Sequence, residues 1–347
     1  MPYTTINKST DYFNTKLYTG NGTTDTAITG IGFSPDMSWF KGRNNTENHF
    51  LFDAVRGATK RLIPNGTSSE ATEANSMKSF DSDGFTLGTM GEVNANSINY
   101  ASWNWKAGTT GSGTTTGSGT DKAYSYSVNT TAGFSITKYL GNGTSGHQIP
   151  HNLGVAPSMI IVKRLDNTRH WCVGHASELW TKAAFLSSTD SFDSAYDYWD
   201  NTDPTSSVVQ LSNSEAVNSG NENYIMYAFA QKTGYCNIGQ YIGNGSSDGS
   251  FIYTGFAPKW FLLKKSSGSG TNWELLDSTR PTGNPNNKRL RANTSEVEAT
   301  STRADFLSNG IKIRTAGGET NTNLESYAYI AFGQSLVGSN NVPCTAR

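Results

Sequence analysis

Apolar residues in this chain come in short bursts rather than long stripes. Runs of Trp, Phe, Ile, Val and Leu, too short for helices, sit between stretches of Gly, Asn, Ser and Thr, which is the pattern of β-strands bounded by turns. Three runs follow a proline: Pro35 precedes Met37-Ser38-Trp39-Phe40-Lys41, Pro157 precedes Met159-Ile160-Ile161-Val162-Lys163, and Pro258 precedes Trp260-Phe261-Leu262-Leu263-Lys264. Proline there fits the first residue of a strand, where no ladder donor is lost. Only residues 67–78 and 177–185 have weakly helical patterning. Turn signals at intervals of roughly eight to twelve residues predict antiparallel sandwiches.

The bursts recur in a fixed order. Tyr18-Thr19-Gly20-Asn21-Gly22-Thr23 returns as Tyr139-Leu140-Gly141-Asn142-Gly143-Thr144 and as Tyr241-Ile242-Gly243-Asn244-Gly245-Ser246, each upstream of a proline-led run. Each copy closes on an aromatic segment: Tyr100-Ala101-Ser102-Trp103-Asn104-Trp105, Tyr224-Ile225-Met226-Tyr227-Ala228-Phe229 and Tyr327-Ala328-Tyr329-Ile330-Ala331-Phe332. The first and third copies also share the turn-strand pair Asp83-Gly84-Phe85 and Asn309-Gly310-Ile311. Repeated landmarks in one order mark an internally repeated architecture. The expected fold is all-β, three tandem antiparallel β-sandwich repeats of jelly-roll or lectin-like kind, over residues 1–108, 121–232 and 233–347. Asn-Gly at each repeat start is read as a two-residue hairpin turn. Residues 109–120, all Gly, Ser and Thr, are expected to be a linker, with units two and three packed closely and unit one apart.

Composition narrows the function. Lys and Arg number 27 against 28 Asp and Glu, and charged residues are 16% of the chain, against roughly 25% in an ordinary soluble domain. No basic surface for nucleic acid is expected. No apolar run is long enough to span a membrane as a helix, and no secretory leader is legible at the start. Cys172, Cys236 and Cys344 are too scattered for a disulfide framework or a zinc site and read as reduced thiols or buried small hydrophobes.

Few residues suggest chemistry. Asp53 with Arg56 and Asp277 with Arg280 occupy matching places in units one and three, with His175 and Glu178 at those offsets in unit two. With no second acid recurring beside them, these pairs are read as ion pairs anchoring strand ends, not as acid–base machinery. The five histidines recur in no pattern that would repeat a metal site. No catalytic residue, metal site or cofactor is expected. The best candidate for ligand contact lies in residues 190–203, where Asp193, Tyr196, Asp197, Tyr198, Trp199 and Asp200 combine carboxylates with rings able to stack on a sugar. The oxygen-rich loop is also compatible with calcium, though it matches no EF-hand spacing.

The landmarks of unit one, Tyr18 to Thr23, Gly32-Phe33 with Pro35, His49 to Gly57, Ser79-Phe80, Asp83-Gly84-Phe85 and Trp103-Asn104-Trp105-Lys106-Ala107-Gly108, resemble a lectin-like β-sandwich domain of unknown function in tail-fibre and other virion proteins of marine tailed phages, cyanophages and pelagiphages among them. Units two and three keep the first landmark, the proline strand and the aromatic close. The resemblance implies a virion component of the tail, assembled in the host cytoplasm, that adheres to a host-surface glycan or receptor. Its implied partners are other virion proteins and further copies of itself, as a homo-oligomer expected to be a trimer, with neither nucleic acid nor membrane insertion. The alternatives are a purely structural head or tail decoration or adaptor without glycan binding, and a glycan depolymerase.

Overall fold

The computed structural model describes residues 3–268 and 270–339. Each proline-led run forms a strand: Met37–Gly42, Met159–Arg164 and Ala257–Lys265. In every unit it lies between the closing aromatic strand (Asn99–Trp105, Asn223–Phe229, Ser326–Gln334) and the strand of the polar pair (Phe50–Asp53, Cys172–His175, Glu274–Asp277). The closing strand pairs on its other side with the opening strand, Phe13–Thr19, Phe134–Leu140 or Cys236–Ile242. All these pairings are antiparallel, and their registers correspond: Trp39 faces Trp103, Ile161 faces Tyr227 and Leu262 faces Ile330. The chain is all-β with several antiparallel sheets, and its α-helices among the described residues are the single turns Gly91–Asn94, Glu215–Asn218 and Gly318–Asn321. Of the stretches with helical patterning, 177–185 contributes to one 3-10 turn, Ala176–Glu178, and 67–78 contains the short strand Ala71–Thr72.

Side chains alternate along a strand, and here the two faces enter different cores. Met37 and Trp39, Met159 and Ile161, and Trp260 and Leu262 join one cluster drawn from all three units, with Trp103, Trp105, Tyr227, Phe229, Ile330 and Phe332. The intervening residues Phe40, Ile160 with Val162, and Phe261 with Leu263 face three separate clusters. Those clusters also hold residues of a second, three-stranded sheet in units one and two, containing Thr26–Thr29 or His147–Pro150, and of the far end of unit three's single eight-stranded sheet, which terminates in Phe251–Tyr253. Buried on both faces, the central strands carry almost no exposed residue, as strands covered by two layers must. A void of about 20 Å³ lined by apolar side chains of all three units lies in the shared core. Unit one therefore does not sit apart, because its Trp residues complete a core common to the whole chain.

Residues 109–120 depart from the linker reading. Thr109–Thr114 pairs antiparallel with Ala123–Asn129 at the edge of unit two, and Thr116–Gly117 pairs with His147–Pro150. The glycines give room rather than freedom. A Cβ on Gly111 would stand 2.6 Å from the Tyr126 hydroxyl, and one on Gly113 would stand 2.9 Å from the Tyr124 ring. The two tyrosines stack on each other with centroids 6.0 Å apart, so a glycine-rich strand fits where any side chain would collide. The edge of the sheet is thereby a strand of Gly, Ser and Thr with no apolar side chain to offer a partner.

The Gly-Asn-Gly segments are not hairpins either. Each carries the chain from the opening strand into the second sheet, since the opening strand pairs with the closing strand rather than with the strand that follows. Only the second glycine is left-handed, with φ of 69°, 75° and 66° at Gly22, Gly143 and Gly245. A buried asparagine from the single-turn helix clamps each loop: Asn94, Asn218 and Asn321 accept from the backbone N–H of Asn21, Asn142 and Asn244 at 2.9–3.0 Å. Alongside, Tyr18 stacks on Tyr100, Tyr139 on Tyr224 and Tyr241 on Tyr327, with centroids 4.9–5.2 Å apart.

Candidate functional site

The polar pairs are structural, and they tie units together. Arg56 Nε donates to Asp53 Oδ2 at 2.6 Å and Arg280 Nε to Asp277 Oδ2 at 2.5 Å, all four side chains being fully buried. Each aspartate takes a further bond from the next unit, from the Tyr227 hydroxyl to Asp53 at 2.6 Å and from Trp103 Nε1 to Asp277 at 3.0 Å. In unit two the matching residues form no pair. His175 bonds the Ser177 hydroxyl through Nδ1 and the Tyr329 carbonyl through Nε2, while Glu178 turns to Lys182 and Gln240. Ile330, in the place of Trp103 and Tyr227, has no polar atom to offer, so His175 reaches the neighbouring backbone instead. Burial holds the His175 imidazole down to about 4, so it stands neutral.

Sequence reasoning missed three lysines. Lys41, Lys163 and Lys264, the last residues of the proline-led runs, are fully buried, and the partners of their ammonium groups are backbone carbonyls: Gly42 and Asn45, Thr67 and Arg164, and Thr189 and Thr271. Burial pushes them down to about 8, 8 and 7. A lysine ending each apolar run was visible in the sequence, but its burial was not, because lysine is almost never fully buried without a partner. Lys163 and Lys264 cross unit seams, so these ammonium groups stitch loops rather than face a ligand.

The loop 190–203 divides its residues. Trp199 is 1% exposed and meets Trp180 edge-on at 5.7 Å, above Gly174, where a Cβ would overlap both rings. It is a core residue and cannot stack on a ligand, which corrects its assignment to a binding surface. Tyr196 and Tyr198 stack on each other at 5.8 Å and lean on Phe185, half-buried, with their hydroxyls raised chiefly by desolvation. Asp200 is held by the Ser145 hydroxyl at 2.5 Å and by Gln210 Nε2 at 2.8 Å. Asp197 accepts from the backbone N–H of Asn201 and Asp193 from that of Ala195, and both carboxylates are exposed. The six residues do not converge on one point.

Asp193 does border a groove. Between unit two and unit three runs an open polar depression of about 570 Å³, walled by Glu178, Lys182 and Asp193 on one side and by Gln240, Ser266 and Ser267 on the other. Gln240 Nε2 donates to Glu178 Oε1 across the seam at 3.2 Å, and the Ser191 hydroxyl donates to the Gly268 carbonyl at 3.1 Å. Hydroxyls, an amide, an ammonium and carboxylates at one groove can share hydrogen bonds with a polyhydroxylated ligand. No group of three potential metal-ligating residues occurs among the described residues. Cys172 and Cys236 are buried thiols raised by desolvation, while Cys344 lies outside the described residues.

A family model described as a domain of unknown function, DUF7483, matches residues 8–335, and that span takes in all three units. The chain belongs to the DUF7483 family. The match treats as one domain what the sequence repeats divide into three units, in keeping with a core that all three share. Neither the curated proteins nor the solved structures offer a match to this DUF7483 chain.

Proposed function

We propose that this DUF7483 protein is a tail-associated virion protein of a tailed phage that adheres to a glycan on the host surface, its three units being lectin-like jelly-roll sandwiches. The virion setting rests on the sequence landmarks shared with tail-fibre domains. The ligand class rests on the polar groove between units two and three, where Asp193, Lys182, Gln240 and two serines present hydrogen-bonding groups on a rigid seam. A sugar ring offers alternating hydroxyls to such a surface, and multivalent display on a virion would convert weak single contacts into avidity.

The role proposed is binding rather than catalysis. Glu178 is engaged by Lys182 and Gln240, while Asp193 presents an exposed carboxylate able to accept from a sugar hydroxyl. A purely structural virion role is the second reading, favoured by the apolar surface that unit three exposes.

The test is binding of the labelled, purified chain to marine bacterial cells before and after removal of surface polysaccharide. Binding that disappears with the polysaccharide and falls in Asp193→Ala with Gln240→Ala supports adhesion through the groove. Binding unchanged by stripping, or absent from every susceptible host, removes the glycan reading.

A further inference from the structure

The three units carry equivalent strands facing their separate clusters, in unit three as the far end of its eight-stranded sheet, and one of these strands differs among the units in a telling way. In unit one, Thr26–Thr29 turns Ala27 and Thr29 outward; in unit two, His147–Pro150 turns Gln148 and Pro150 outward and is partly covered by Thr116–Gly117. In unit three, Phe251–Tyr253 turns two aromatic rings outward, Phe251 46% and Tyr253 63% exposed. The strand pairs on one side only, with Gly310–Ile313. Ser250 and Thr254 bond the neighbouring strand, through Ile313 N–H to the Ser250 carbonyl and Thr254 N–H to the Asn309 carbonyl, and Ile252 lies between them opposite Ile311, so by the antiparallel alternation the N–H and C=O of Phe251 and Tyr253 point to the open edge. Among the described residues no backbone group bonds them from that side.

The apolar exposure is continuous with this edge. Leu307 faces Gly310, which faces Tyr253, and Tyr3 donates to the Gly255 carbonyl just beyond. Ile242 accepts from the Ser250 hydroxyl at the other end, and Leu324 sits on the adjoining loop at 81% exposure with φ of 62°. Unit three supplies six of the nine large apolar residues exposed among the described residues. An apolar strand edge with neither Lys nor Pro in the strand, and with none of the described segments covering it, is what soluble folds avoid unless it is used.

We infer that two copies of this chain join edge to edge through Phe251–Tyr253. The occupant follows from self-complementarity. An antiparallel pair of these strands, centred on Ile252, sets Phe251 of each copy opposite Tyr253 of the other, giving two aromatic cross-strand pairs on one face. Such a contact has the two-fold, isologous form of most closed dimers. Within the chain, Thr116–Gly117 already adds to the equivalent strand of unit two, so the fold accepts a strand at this position. The inference is independent of the glycan reading.

Sedimentation of the 347-residue chain tests it. The expected result is a concentration-dependent species of twice 37.5 kDa, weakened roughly a hundredfold or more in Phe251→Lys with Tyr253→Lys, whose exposed positions leave the monomer's unfolding midpoint unchanged. A cross-linking pair adds register. In a Cys344→Ser background, Phe251→Cys mixed with Tyr253→Cys should oxidise to a covalent dimer, whereas each alone should not, since like positions would lie too far apart for a disulfide. A wild-type monomer, a dimer untouched by the lysines, or no cross-link in the mixture would each overturn the inference.

Discussion

Trp103 Nε1 donates to Asp277 Oδ2 across 174 residues of sequence, and the Tyr227 hydroxyl donates to Asp53 Oδ2 across the same 174. A closing strand in one unit thus finishes the polar pair of another, each time in the same cyclic sense. A second set of bonds runs the same way around the shared core: Trp171 Nε1 to the Ile63 carbonyl at 2.9 Å, Trp273 Nε1 to the Phe185 carbonyl at 2.8 Å, and His49 Nε2 with the Arg291 carbonyl at 3.1 Å. Arg43 adds a two-pronged contact from unit one to Glu298 of unit three. The repeats are interlocked around one core.

Asp277→Ala should destabilise the protein by about 3–5 kcal/mol, because it leaves the fully buried Arg280 Nε and the Trp103 indole without acceptors, Glu298 holding only Arg280 Nη1. Urea unfolding followed by tryptophan fluorescence measures it. A loss below about 1 kcal/mol, the range of a surface pair, would contradict the burial described.

Asn218→Ala should cost several kcal/mol, at about 1–3 kcal/mol for each buried group left unpaired. Its amide accepts from Asn142 N and His147 Nδ1 and donates to the carbonyls of Thr144 and Ser212. Faster hydrogen exchange at residues 142–144, ahead of global unfolding, would show that this asparagine holds the loop.

The buried lysines predict stability that rises with pH. Lys41, Lys163 and Lys264 titrate near 8, 8 and 7 in the folded chain against an ordinary 10.5. Between those values the unfolded chain binds more protons, so stability grows from about pH 7 to about pH 10. His175, held near 4 against 6.5, extends the same slope to lower pH. Glu274, raised by burial and by its contact with Glu319, acts in the opposite sense above its ordinary 4.5. Lys163→Met isolates one contribution, and its unfolding free energy should rise less than the wild type's between neutral and alkaline pH. Equal slopes would mean that Lys163 is not desolvated.

Trp199→Ala and Asp193→Ala should separate stability from binding. Trp199 fills the unit-two core, so its loss should cost about 3–5 kcal/mol. Asp193 is exposed, so its loss should leave the unfolding midpoint in place while cell binding falls.

The sequence made some of this legible and concealed the rest for physical reasons. Strands, repeat order and the structural nature of Asp53–Arg56 and Asp277–Arg280 could be read because local patterning and i,i+3 spacing are local properties. Which face of each strand meets a shared core is not local: Trp39 and Phe40 look alike in sequence yet enter different clusters. Glycine in 109–120 carried the wrong message, since room for Tyr124 and Tyr126 and chain flexibility favour the same residue. Trp199 was misplaced for a related reason, because an aromatic amid carboxylates looks the same whether it points out or in.

Three units form one body, whose seam creates the groove at Asp193 and Gln240. Calorimetry of the 347-residue chain is the decisive experiment. A shared core and cyclic bonds predict a single transition with calorimetric and van't Hoff enthalpies equal, moved as a whole to lower temperature by Asp277→Ala. Separate transitions, with Asp277→Ala shifting only one of them, would contradict it.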